Sequence, residues 1–193
     1  MKVFRLRFLL YVVILAAAAS AANNKTSPEL ASVNRKIAHL EANGRTPRPN
    51  PAPTVLNEAE INAYLASDQV QFPAGVNSVH LTGSQGTISG TAKVDFDQVR
   101  AGIHSSNPLL SIFSGVHDVN AEAHAYGRTG QGYVHIDSVS LDGVEVPNFV
   151  LQLFVEKYIQ PRNPNIGIDS QFKLPDRIDS AVVGQHQVTL IQK

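Results

Sequence analysis

The sequence predicts an α+β domain: a curved antiparallel sheet of about six strands in three hairpins, with three helices packed on it. Three observations carry this. Apolar and polar residues alternate strictly over several stretches, most plainly from Thr87 to Phe96 and from Val119 to Tyr126. One eight-residue phrase occurs three times. Three helix-start signals fall between the alternating stretches, so helices and hairpins take turns along the chain.

Before the domain come two segments of different character. Lys2, Arg5 and Arg7 precede an uninterrupted apolar stretch from Phe8 to Ala19, followed by Ser20-Ala21-Ala22. A positive start, a short apolar run and small residues at its end describe an export signal cleaved after Ala21 or Ala22. The run is shorter than the roughly 20 residues that span a bilayer. Uncleaved, residues 1–22 would act as an N-terminal anchor, and the protein would then touch the membrane only through them. Both readings put the rest of the chain outside the cytoplasm, periplasmic or secreted, or anchored to the inner membrane.

Residues 23–53 form a polar, proline-rich tether ending in four prolines within Pro47–Pro53, a pattern that favours extended backbone. Inside it Leu30, Val33, Ile37 and Leu40 recur at helical spacing, which predicts a short helix that docks on the domain or frays in solution.

Residues 54–193 form the domain. Asn57 and Glu60 make a capping box that opens a first helix carrying Ile61, Tyr64 and Leu65. The repeated phrase follows as Val76-Asn77-Ser78-Val79, returns as Ile136-Asp137-Ser138-Val139, and closes the chain as Ile178-Asp179-Ser180-Ala181. An Asn/Asp-Ser pair bonds readily to nearby backbone, so each copy predicts a strand entered through a bulge. Side-chain parity agrees. Val134 and Ile136 share one parity and Val139 and Leu141 the other, and one extra residue near Asp137 returns all four to one face. The first and third copies match further at an offset of 102, pairing Gln85, Thr87 and Ile88 with Gln187, Thr189 and Leu190.

Between the phrases lie their partners. Ile88, Gly90, Ala92, Val94 and Phe96 mark one half-buried strand. Val119, Ala121, Ala123 and Ala125 mark another, turned back at Arg128-Thr129-Gly130. Asn107-Pro108 starts a second helix with Leu109, Leu110, Ile112 and Phe113. Pro147 starts the third, whose Phe149, Val150, Leu151, Leu153, Phe154, Val155, Tyr158 and Ile159 leave only a narrow polar stripe. A helix so apolar is clasped by a sheet or faces an apolar ligand.

Composition narrows the function. Sixteen basic residues balance sixteen acidic ones, and without residues 1–22 the balance is 13 against 16, so nucleic acid is not an expected partner. Cysteine is absent, which removes disulfides, thiol catalysis and cysteine-ligated zinc. The seven histidines are His39, His80, His104, His117, His124, His135 and His186, and none has the helical spacing of a zinc protease. His124 and His135 face each other across a hairpin at outward positions, where solvated side chains outweigh a metal site for want of a third ligand. No nucleophile elbow or phosphate-binding glycine loop occurs. The expectation is therefore a non-enzyme with no cofactor, no metal site and no catalytic residues.

Four short motifs point to a family. Asn57–Leu65, Phe72-Pro73 with Gly75-Val76, Leu141–Pro147, and Phe172–Pro175 together resemble small exported bacterial proteins with a tubular lipid-binding-like (TULIP-like) layout, mostly uncharacterised. The resemblance covers about residues 54–192. It implies a long helix along a strongly curved sheet, with an apolar seam between them that accepts acyl chains. On that analogy Ile88, Val94, Phe96, Phe113, Phe149, Leu153 and Phe154 would line the seam. The implied function is a non-catalytic envelope protein binding a lipid or other apolar molecule. The alternative is a structural or assembly protein of the envelope that holds a protein partner and no small molecule.

Overall fold

The computed structural model describes residues 27–101 and 106–193. The expected leader, the first four residues of the tether and His104 lie outside them. The elements are α1 (Pro28–Gly44), β1 (Thr54–Asn57), α2 (Glu58–Leu65), β2 (Val76–Ser84), β3 (Thr87–Asp95), α3 (Phe96–Val99), β4 (Val116–Arg128), β5 (Gln131–Leu141), β6 (Val144–Glu145), α4 (Asn148–Phe154), β7 (Asp169–Lys173), β8 (Ile178–Gly184) and β9 (Gln187–Gln192). The fold is α+β, with every strand pairing antiparallel in one sheet.

Strand β4 is the spine. One edge of it pairs with β3 from Val116 to His124 and then with β8 through Tyr126 and Gly127. Its other edge pairs with β5 from Val119 to Arg128, and β5 carries β7 near its start and β6 at its end. The hairpins β2–β3 and β8–β9 thus stand end to end along one side of β4. Their tips lock together: Gly86 N–H donates to the Val183 carbonyl and His186 N–H to the Gly83 carbonyl, both at 2.8 Å. Gly83 suits this contact because a Cβ there would lie 3.2 Å from the Gly184 oxygen.

All three Asn/Asp-Ser phrases are bulges. Between the pairs Glu122↔Ser138 and Ala123↔Ile136, Asp137 is the extra residue, and Asp179 is extra between Ile178 and Ser180. In β2 the shift falls between Asn77 and His80, where Ser78 takes a left-handed φ of 55°. The bulges share a role, but the extended match at offset 102 does not hold in three dimensions. Gln85 sits in the β2–β3 turn, whereas Gln187 has already entered β9.

The expected six strands are nine. The additions β1, β6 and β7 are short, and each pairs along only two to five residues of a longer strand. The expected strand through Phe96 ends at Asp95, whose carboxylate accepts from the Asp97 and Gln98 N–H groups and starts α3. The Asn107-Pro108 helix is a single 3-10 turn, Pro108–Leu110, capped by the Asn107 side chain. The Asn57–Glu60 capping box is present in both directions. Helix α4 widens into a π-turn at Val155–Ile159, which buries both Tyr158 and Ile159.

Helix α1 docks. Val33 and Leu40 are buried in one cluster with Leu56, Leu174, Ile178 and Leu190. Glu60, only 3% exposed, receives Lys36 and the Ser32 hydroxyl. Buried Gln192 donates to the Leu40 and Asp176 carbonyls and accepts from Asn43. Glu60 and Gln192, the two buried polar residues at this contact, are thereby matched. Beyond α1 the chain stays held, with Arg177 donating to the Thr46 and Pro47 carbonyls.

Candidate functional site

Among the described residues the sheet and helices line two apolar, partly open cavities, one on either side of the middle of β4. The first, about 200 Å³, lies between the sheet and α4 with its π-turn. Val94, Phe96, Phe113 and Phe154, four of the seven predicted seam residues, line it. The rings form one cluster: Phe96 and Phe113 centroids are 5.3 Å apart, Phe96 and Phe154 5.5 Å, and Phe113 and Phe154 4.1 Å. The other three predicted residues lie elsewhere. Leu153 packs on the same core from a half-buried position. Phe149, in the first turn of α4, points outward and is 60% exposed. Ile88 lines the second cavity.

That second cavity, about 160 Å³, draws its wall from eight strands and α2. Ala123 and Ala125 of β4 and Gly132 of β5 are its small members, and Val134, Phe172 and Val183 its larger apolar ones. Its origin is legible in β4. From Ala121 the inward positions are Ala121, Ala123, Ala125 and Gly127, so four successive sites project a methyl group or nothing into the interior. This run of small residues at one parity is the signal that could have revealed the cavity.

Few polar groups reach the second cavity. One is Glu58, whose carboxylate accepts from the Gly83 N–H at 3.2 Å and His186 Nδ1 at 2.8 Å. The bonded His186 ring outweighs desolvation and holds Glu58 below the ordinary carboxylate range.

Several other histidines pair with carboxylates on the outer surface. His117 Nδ1 meets Asp142 at 2.6 Å and its Nε2 meets the Ser114 carbonyl at 2.8 Å. Two acceptors on one ring favour the imidazolium, and the Asp142 carboxylate pushes the His117 pKa up while its own falls. His124 and His135 do face each other in register. Each is engaged by its own carboxylate, His124 by Asp137 at 2.7 Å and His135 by Asp169 at 2.6 Å, which raises the His135 pKa. Among the described residues no group of three or more His, Asp or Glu side chains is placed to hold a metal ion. The rings of His117, His124, His135 and His186 meet carboxylates, a carbonyl and an amide, with no hydroxyl to activate.

No family model, curated protein or solved structure matches this chain.

Proposed function

We propose that this protein is an exported, non-catalytic binder of a lipid or other apolar molecule, held between α4 and a curved sheet in the manner of TULIP-like proteins. The cavity under α4 carries the reading. A space of about 200 Å³ walled by aromatic and aliphatic side chains is larger than the engineered apolar cavity of about 150 Å³ that stays dry and takes up benzene. Water gains little there, whereas each buried methylene of a ligand contributes about 0.8 kcal/mol. One cavity walled by eight strands also requires a sheet that bends around its contents. The apolar segment of residues 8–19 fits export, and the proposed site of action is the cell envelope.

A specific observation favours the second reading, an assembly protein. Leu109, Ile112, Val116, Val144 and Phe149 are each between 43% and 71% exposed and lie in or beside the 3-10 turn and at the starts of β4, β6 and α4. Exposed large apolar side chains suit a protein partner.

Native mass spectrometry separates the two. Protein expressed with its leader and purified from an envelope fraction should carry an adduct of lipid-like mass, released by organic solvent. The bare polypeptide mass, together with no uptake of added fatty acid, would end the apolar-ligand reading and leave the assembly reading.

A further inference from the structure

We infer that the two cavities are successive compartments of one channel for a single unbranched hydrocarbon chain, and that Ile88 sets how long a chain enters. This rests on the apolar-ligand reading above and adds to it a second compartment and a specificity-determining residue.

The register of β3, β4 and β5 defines the boundary. Ala121 faces Gly90 and Val139 across the sheet, and all three line the first compartment. One inward position further, Ala123 faces Ile88 on β3 and Ile136 on β5. Ile88 and Ala123 line the second compartment, while Ile136 lines the first. Ala125, opposite Val134, lies wholly in the second. The two spaces are therefore separated by one cross-strand row, Ile88–Ala123–Ile136. Inward positions along a strand repeat about every 7 Å, so that row is the full thickness of the septum. Its centre is an alanine, which leaves two isoleucine side chains as the barrier.

Size then selects the ligand. A cavity of about 150 Å³ accepts a six-carbon ring, so each compartment takes roughly six to eight carbons, and both together a chain of about 12 to 16. An extended chain fits between the two side chains of one row, whereas a fused-ring molecule does not. The described residues of the wall include no lysine or arginine for a charged group within the channel, so the part that enters is hydrocarbon.

The test is calorimetric titration of delipidated full-length protein with octanoate, dodecanoate and hexadecanoate. Affinity should rise by up to about fourfold per methylene beyond octanoate and level off near hexadecanoate. Ile88→Trp thickens the septum, and Ala125→Leu fills the second compartment from beyond it. Each variant, with circular dichroism unchanged, should keep octanoate affinity within about twofold and weaken hexadecanoate at least tenfold. The channel is refuted if the folded variants bind hexadecanoate as the parent does, or if the parent binds octanoate and hexadecanoate equally. In both cases the apolar-ligand reading stands. Failure of all three acids to bind refutes both.

Discussion

The two compartments are built by opposite means. The one under α4 exists because large side chains hold the helix off the sheet: Phe96, Phe113 and Phe154 pack ring on ring, and Phe113 is only 1% exposed. The one beyond Ile88 exists because side chains are missing, at Ala123, Ala125 and Gly132. The first therefore depends on volume that mutation can remove, and the second on space that mutation can fill. Phe113→Ala should accordingly have the largest effect on the molecule, costing about 3–5 kcal/mol in denaturant unfolding. A cost below about 1 kcal/mol would mean the ring cluster is not a shared core.

The second compartment also leans on α1. Glu60 caps α2, whose Ile61 lines this cavity, and ties that helix to Lys36 and Ser32 of α1. Glu60→Ala leaves the Ser32 hydroxyl and the Asn57 N–H without this acceptor, and the Lys36 ammonium with the Val55 carbonyl but no counter-charge. Because Lys36 is one-third exposed, the cost is reduced from that of a fully buried pair to about 2–3 kcal/mol. Hydrogen exchange should show the loss in α1, α2 and β1 and leave α4 protected. Equal deprotection of α4 would show that the two compartments unfold as one unit.

This contrast was only half visible in the sequence. The bulges were legible because Asn/Asp-Ser announces a local backbone bond and parity demands one extra residue. The helix after Pro147 was legible too, since the apolar run behind that proline marks a helix that needs a sheet. The short strands were not. In β7 the pattern Ser170-Gln171-Phe172-Lys173 gives too few alternations to distinguish an edge strand from a loop, and its pairing with Gln131–His135 is a tertiary fact. Ile88 shares its inward parity with Val94 but lies in a different compartment, because the boundary is a row across three strands and not a position along one. The empty space itself is written only indirectly, in the small residues Ala121, Ala123, Ala125 and Gly127 at one parity of β4.

Adding a methyl group to the close-packed glycines beside that space should cost less. A Cβ on Gly127 would meet Ala181 N, Ala181 Cβ and Leu174 Cδ1, each at 2.8 Å. Two of these atoms belong to the backbone or are fixed to it, so Gly127→Ala should push β8 away from β4 and cost about 1–3 kcal/mol. Gly132→Ala would meet the Phe172 ring at 2.5 and 2.6 Å. That ring is half-buried and can rotate, so Gly132→Ala should be the milder change. The reverse order in thermal unfolding would show that Phe172, and not the β4–β8 contact, is the rigid part of the wall.

The smallest effects are electrostatic, and they differ between the two regions in sign. Near α4, His117 has a raised pKa, so its contribution is complete below the unfolded histidine value of about 6.5 and fades as pH rises through the higher folded value. Deprotonation leaves one ring proton for two acceptors. Asp142 keeps the Asp118 N–H at 2.9 Å, so the connection at Ser114 is what loosens. Beside the second compartment Glu58 has a lowered pKa. Its contribution is complete above the ordinary glutamate value of 4.5 and fades as pH falls through the lower folded value. Raising pH from 6 to 9 should therefore speed exchange near Ser114 while the β2–β3 and β8–β9 tips stay protected. Lowering pH below about 4.5 should free the Gly83 amide first. His117→Gln should abolish the alkaline response and leave the acid one, and Glu58→Gln should do the converse. If either substitution removed both responses, the two compartments would be coupled through the row at Ala123, and the septum would transmit strain as well as divide space.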